Sequence, residues 1–184
     1  MRFAHDTEVA LAGAAALVNT SRGGVERLPD TAALAVFLDA EGYSGTRAGT
    51  AEELEAVRDL RARLAALWTL DDRDEVVAVV NRMLADAHAL PRLTRHDDWD
   101  WHLHLTPPDA PLVDRMATEA AMAIADLVRA QDLDRLKRCE GEDCDAVLVD
   151  LSRNRSRRFC DLGNCANRAH VAAYRARKAA AHRT

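Results

Sequence analysis

All four cysteines of this 184-residue chain lie in one stretch, as Cys139-Glu-Gly-Glu-Asp-Cys144 and Cys160-Asp-Leu-Gly-Asn-Cys165. Two C-x4-C pairs with fifteen residues between them read as a tetrahedral, four-cysteine zinc site. Zinc favours four thiolates, and each short pair wraps one edge of the tetrahedron. Two disulfides or four idle thiols are the alternatives. A reducing compartment argues against the first, and the lack of any cysteine outside the cluster against the second. A module of about 45 residues is too small to hold itself by hydrophobic burial alone. Structural zinc supplies roughly 10–16 kcal/mol of apparent binding energy, enough to make the fold conditional on metal. Four thiolates leave no open coordination position, so one structural Zn²⁺ is expected and a catalytic one is not.

The charge divides at the same place. From Arg135 to Thr184 there are twelve Lys/Arg against six Asp/Glu, whereas the first 134 residues hold thirteen against twenty-four. An acidic body with a basic end implies two parts with different jobs, and only the end is suited to phosphate. Much of the apolar content is alanine and leucine, and aromatics are few. That balance favours helices over a β-sandwich. The longest apolar run, Val9 to Val18, falls short of the roughly 20 residues a membrane helix needs. Its flank, Met1-Arg-Phe-Ala-His-Asp6, lacks a convincing positive n-region, so no signal peptide is expected and the cytoplasm is the expected location.

Taken in order, residues 6–19 predict a helix capped by Asp6 and broken at Gly23-Gly24. Asp30 or Thr31 caps a second helix, with Leu34, Phe37 and Leu38 inward, and Gly42 stops it. Thr50-Ala-Glu-Glu53 has capping-box spacing, and Leu54, Val57, Leu60, Leu64, Leu67 and Trp68 follow at helical spacing. Asp71, Asp72 and Asp74 start a fourth helix, carrying Val76, Val79, Val80, Met83 and Leu84 and limited by Pro91. Trp99, Trp101, Leu103 and Leu105 then alternate with polar residues, the period of a strand, with 90–94 as its hairpin partner. A long helix over about 110–130 closes this part and leads almost directly into the first cysteine pair. The zinc module is therefore expected to pack on the body.

Inside the module, Ala146-Val-Leu-Val-Asp-Leu151 predicts a strand, Ser152-Arg-Asn-Arg155 a turn and Ser156-Arg-Arg-Phe159 the returning strand. Cys165 falls in the first turn of a final helix. The order knuckle, hairpin, helix resembles a treble clef. The fold class expected is mainly α: a helical N-terminal domain (1–132) with a small β-hairpin, then a treble-clef-like four-cysteine finger (133–184).

Arg138-Cys139-x4-Cys144, Leu151-Ser-Arg-Asn-Arg-Ser-Arg-Arg-Phe-Cys160 and Cys165-Ala-Asn-Arg168 resemble the CGNR-type zinc finger of bacteria. Leu17-Val-Asn-Thr20 and the helical layout resemble the ABATE domain that accompanies it. The chain departs at the name-giving motif, with Ala166 where the family has glycine. The resemblance implies a DNA-binding transcriptional regulator whose N-terminal domain is a sensor or interaction module, and implies no catalytic activity.

Arg153, Arg155, Arg157 and Arg158 are the first candidates for contact with phosphate or bases. Arg168, Arg175, Arg177 and Lys178 form a basic helix end that tracks a backbone. Asn154 and Asn167 are candidate adenine readers, or else a turn former and a helix cap. Arg138 and Arg168 are alternatively support for the anionic thiolate centre. His102 and His104 share a strand face with Asp98 and Asp100, a spacing that suits metal but lacks an obvious third ligand. Trp99 and Trp101 with Asn19 and Arg22 are candidates for a small-molecule effector pocket, with core packing and a helix C-cap as the plainer readings. Nucleophile elbow, phosphate-loop and dinucleotide motifs are lacking, so an enzyme is not expected. The expected partner is duplex DNA, with a homodimer extending the reach of a single small finger. The alternative is a zinc-stabilised protein-interaction adaptor, its arginines paired with an acidic partner or with the acidic body.

Overall fold

The computed structural model describes residues 3–95 and 100–181. The element order is α1 (His5–Asn19), α2 (Thr31–Ala40), α3 (Ala51–Ala66), α4 (Arg73–Asp86), β1 (Arg92–Thr94), β2 (His102–His104), α5 (Leu112–Ala130), β3 (Leu136–Arg138), β4 (Val147–Val149) and α6 (Cys165–Ala181). The fold is mainly helical with two small antiparallel hairpins, β1–β2 and β3–β4.

Helix α5 is the central post, and α1, α3 and α4 pack on it. Its sequence explains why. Met116, Ile124 and Leu127 fill the core, while Ala117, Ala120, Ala121 and Ala123 let three neighbours approach closely. Leu11, Leu17, Leu60, Leu64 and Met83 complete the same core. Left-handed Gln131 ends α5 and turns the chain toward the finger.

The helix ends carry the expected signals, with two changes. Asp30 Oδ1 accepts from the Ala33 amide, and Asp72 from the Asp74 amide. Asp6, expected to cap α1, instead sits within its first turn, and Ala4 holds the cap position. The Thr50 hydroxyl accepts from the Glu53 amide as expected, but Glu53 reaches past threonine to the amides of Ala48 and Gly49. The box thus also ties down the preceding loop.

The body and the finger share one core. Val147 and Val149 belong to the same buried cluster as the helices, and β4 lies against α1. The Asn19 amide both donates to the Val147 carbonyl and accepts from its N–H, each at 2.9 Å. The Trp68 indole donates to the Leu148 carbonyl at 3.0 Å. These bonds satisfy the edge of β4 with side chains from the body.

One pairing differs from expectation. β4 does not pair with residues 156–159; its partner is β3, in the register Leu136↔Val149, Lys137↔Leu148 and Arg138↔Val147. The hairpin therefore encloses the first cysteine pair, and 152–159 is an irregular loop. Asp150 is the reason. Its carboxylate is fully buried and collects the Ser152 amide and hydroxyl, the Arg157 amide and the Lys137 ammonium. The chain after β4 coils around that charge and cannot run back as a strand.

Candidate metal centre

The four sulfurs of Cys139, Cys144, Cys160 and Cys165 all lie within 4.8 Å of one another. Cys160 Sγ is 3.8 Å from both Cys144 Sγ and Cys165 Sγ. A tetrahedron of Zn–S bonds near 2.3 Å requires S···S edges of about 3.8 Å. The donor set and its spacing fit one structural zinc ion, held by the knuckle after β3, the end of the loop and the first residue of α6. The metal would join these three segments.

The surroundings suit thiolates. Burial pushes the Cys139 thiol up, but the Cys160 amide at 3.3 Å and the Gly141 amide at 3.4 Å donate to its sulfur, and the balance lies lower, at about 7. Burial and the neighbouring sulfurs push Cys165 up, to about 12. A dication outweighs that penalty. Arg168 Nη2 donates to Cys165 Sγ at 3.2 Å, so this arginine supports the metal site.

Gly141 is a functional position that the cysteine pattern does not reveal. A Cβ there would lie 2.8 Å from both Cβ and Sγ of Cys165. Only glycine lets the knuckle close over the sulfur. The variant Gly141→Ala is expected to lose at least tenfold in zinc affinity, as outer-shell changes typically do, measured by chelator competition. Unchanged affinity would show that the knuckle relaxes around the methyl group.

Residues 135–178 match the CGNR zinc finger. Residues 12–131 match the ABATE family, described as "Putative stress-induced transcription regulator" and covering well over half of the chain. The chain belongs to the ABATE family. No curated protein matches it. In this ABATE protein Ala166 is exposed, lies within α6 and has no positive φ, so alanine replaces the motif glycine without strain.

The loop arginines of the finger are not uniformly available. Arg155 pairs with Asp132 and with Asp134, the latter at 2.9 Å. Arg157 pairs with Asp161, and Arg158 with Glu140. Three side chains expected at phosphate are thus bound to carboxylates of the chain itself. The pairs of Arg157 and Arg158 are exposed, weak and salt-sensitive, whereas Asp132, one partner of Arg155, is buried. Arg153 and Asn154 are exposed and make no side-chain hydrogen bond or ion pair with any described residue.

Helix α6 offers a clearer surface. Of its 17 residues only Cys165 is buried, and it contains no acidic residue. Arg168, Arg175 and Lys178 fall on one stripe, and Asn167, Tyr174 and Arg177 on the next. Arg175 and Arg177 are exposed and unpaired among the described residues.

The effector-pocket candidates are not brought together. Asn19 is spent on Val147, which makes it a tether. It lines an open groove with Arg22, whose Nη2 is 3.5 Å from the Leu162 carbonyl. Trp101 does not line that groove; it is 62 % exposed, with the Arg95 guanidinium 5.3 Å above its ring. The alternation that predicted an inward tryptophan fails because β2 is short and lies at the margin of the body. Trp99 and Asp98 lie outside the described residues. His102 and His104 do sit together, Nε2 to Nε2 at 3.0 Å, but among the described residues only the cysteines group closely enough to hold a metal. Among those residues, too, no helix is long and apolar enough to cross a membrane.

Proposed function

We propose that this protein is a non-enzymatic transcriptional regulator that binds duplex DNA through its finger and receives a signal through its helical body. The observation that carries the reading is α6: a zinc-anchored helix with exposed cationic side chains and no acidic ones. Its 17 residues span about 25 Å, a length and width that a major groove accepts. Arg153 and the helix are the primary phosphate contacts. Arg155, Arg157 and Arg158 join only by exchanging their carboxylate partners for phosphate.

Fluorescence anisotropy with genomic DNA fragments at two salt concentrations tests this. Each phosphate contact contributes about 0.9 to the slope of log affinity against log salt. Changing Arg175, Arg177 and Lys178 together to alanine is expected to flatten the slope by about 2 to 3, with no change in melting temperature. Equal affinity and slope for the triple variant would remove α6 as the binding surface.

The second reading, a protein-interaction adaptor, draws on the intramolecular pairing of Arg155, Arg157 and Arg158. A protein partner that co-purifies stably, with no DNA shift at low salt, would decide for it.

A further inference from the structure

We propose that the groove where the helical body meets the finger binds a small organic monocarboxylate with an apolar body. The site gives a place and a ligand class to the sensing role proposed above, and rests on that reading only for its regulatory meaning. The body contributes α1, the turn after it and the end of α2, and the finger contributes β4 and residues 160–162. The groove has a volume of about 420 Å³, within the range of small-molecule sites.

The groove holds a guanidinium that lacks an acceptor. Among the described residues, Arg22 Nε is the one buried side-chain nitrogen or oxygen without a hydrogen bond. Among the same residues, the rest of that guanidinium makes one bond, from Nη2 to the Leu162 carbonyl at 3.5 Å. That is longer than an ordinary N–H···O bond. Buried polar groups are normally paired, so an orphan on a groove marks a missing partner. Arg27 stands beside it. Its Nη1 donates to the Arg22 carbonyl at 2.7 Å and to the Val25 carbonyl at 3.1 Å, which fixes the side chain and leaves its charge uncancelled. Neither arginine makes an ion pair with any described residue.

The lining selects the ligand. It carries Arg22, Arg27 and Arg157 against Glu41 and Asp161. Arg157 is paired with Asp161, which leaves two guanidiniums against one carboxyl and one net positive charge. A monocarboxylate cancels that charge and offers two planar acceptors to the fork of Arg22, whereas a dianion overshoots it. Ala12, Ala15, Ala16 and Phe37 supply an apolar wall for the carbon body. The position gives occupancy a route to the finger. Arg22 comes from the turn after α1 and approaches Leu162, which lies between the zinc ligands Cys160 and Cys165. A carboxylate on Arg22 therefore links the body to the segment that joins two of the sulfurs. Its binding favours the docked finger by the same factor as docking favours its binding.

Calorimetric titration of the zinc-loaded full chain tests the site, with benzoate and hexanoate as probes, and benzyl alcohol, benzylammonium and inorganic phosphate as contrasts. Saturable binding of at least one carboxylate is expected. The Trp68 indole N–H signal should move during the titration, because the residue that accepts from it, Leu148, lines the groove. Arg22→Met should lower affinity at least about tenfold, the weight of a hydrogen bond to a charged group. It should leave the melting temperature of the ligand-free protein unchanged, because the buried nitrogen has no bond to lose. A merely structural arginine would lower it. Arg27→Gln, at an exposed position, should also weaken binding. No saturable binding of either carboxylate, binding that leaves the indole signal in place, or tighter binding of any contrast would overturn the proposal. So would unchanged affinity in either arginine variant, or a lower melting temperature of ligand-free Arg22→Met. DNA affinity of the same samples without probe separates this failure from failure of the DNA reading.

Discussion

Replacing Cys165 with serine is expected to release the zinc and unfold the finger. The apparent binding energy of a structural zinc, about 10–16 kcal/mol, matches or exceeds the whole stability of a small domain. Cys165 is the only buried residue of α6, so the helix loses its single anchor at the same time. The damage reaches the body, because Val147 and Val149 lie in the shared core. Metal content should fall from one zinc per chain to none. The Trp68 indole N–H, which donates to Leu148, should shift in the proton NMR spectrum, since it senses the docked finger directly. A variant that keeps its zinc and an unshifted indole signal would show that three thiolates suffice.

The second large effect is expected at Asp150. Its carboxylate is fully buried and gathers Lys137, Ser152 and the Arg157 amide. Asp150→Ala leaves the Lys137 ammonium without its carboxylate and the Arg157 amide without its acceptor. Breaking a buried pair in this way costs about 3–5 kcal/mol, readable as a lower urea midpoint. Burial alone would raise the Asp150 carboxyl, but the bonds from Lys137, Ser152 and Arg157 outweigh it and hold it at about 2. With a depressed folded value, the contribution is complete above the unfolded value of about 3.9 and is lost as pH falls toward 2. The gap between wild type and Asp150→Ala should therefore stay constant from pH 7 to 5 and narrow only in strong acid. A variant as stable as wild type would show that the loop holds without the charge.

The helices and the zinc ligands were legible because each rests on a local rule. The Thr50 cap, the apolar spacing in α3 and the two C-x4-C pairs carry their meaning within a few residues. What sequence hid depended on distant partners. Leu136-Lys-Arg138 gave no strand signal, since its pairing with β4 needs the knuckle already closed. The 156–159 segment looked extended, yet buried Asp150 redirects it. Trp101 showed the right period, but β2 begins only after it, at His102, and leaves the ring exposed. Asn19 and Arg22 drew notice at the end of α1, but the partner of Asn19 lies 128 positions away.

Helix α6 has one further consequence. A helix of this length that packs no face on its own protein is marginal in water, since most helical stability in proteins comes from tertiary packing. Its distal turns, beyond the reach of the metal, should exchange their amide hydrogens close to the rate of an open chain. A duplex that holds the helix then completes its folding as well as binding it. Association should therefore show a more negative heat capacity change than the contact area alone gives, and a more unfavourable ordering entropy. Affinity is moderated by that entropy while the surface stays large, so release can be fast without loss of selectivity.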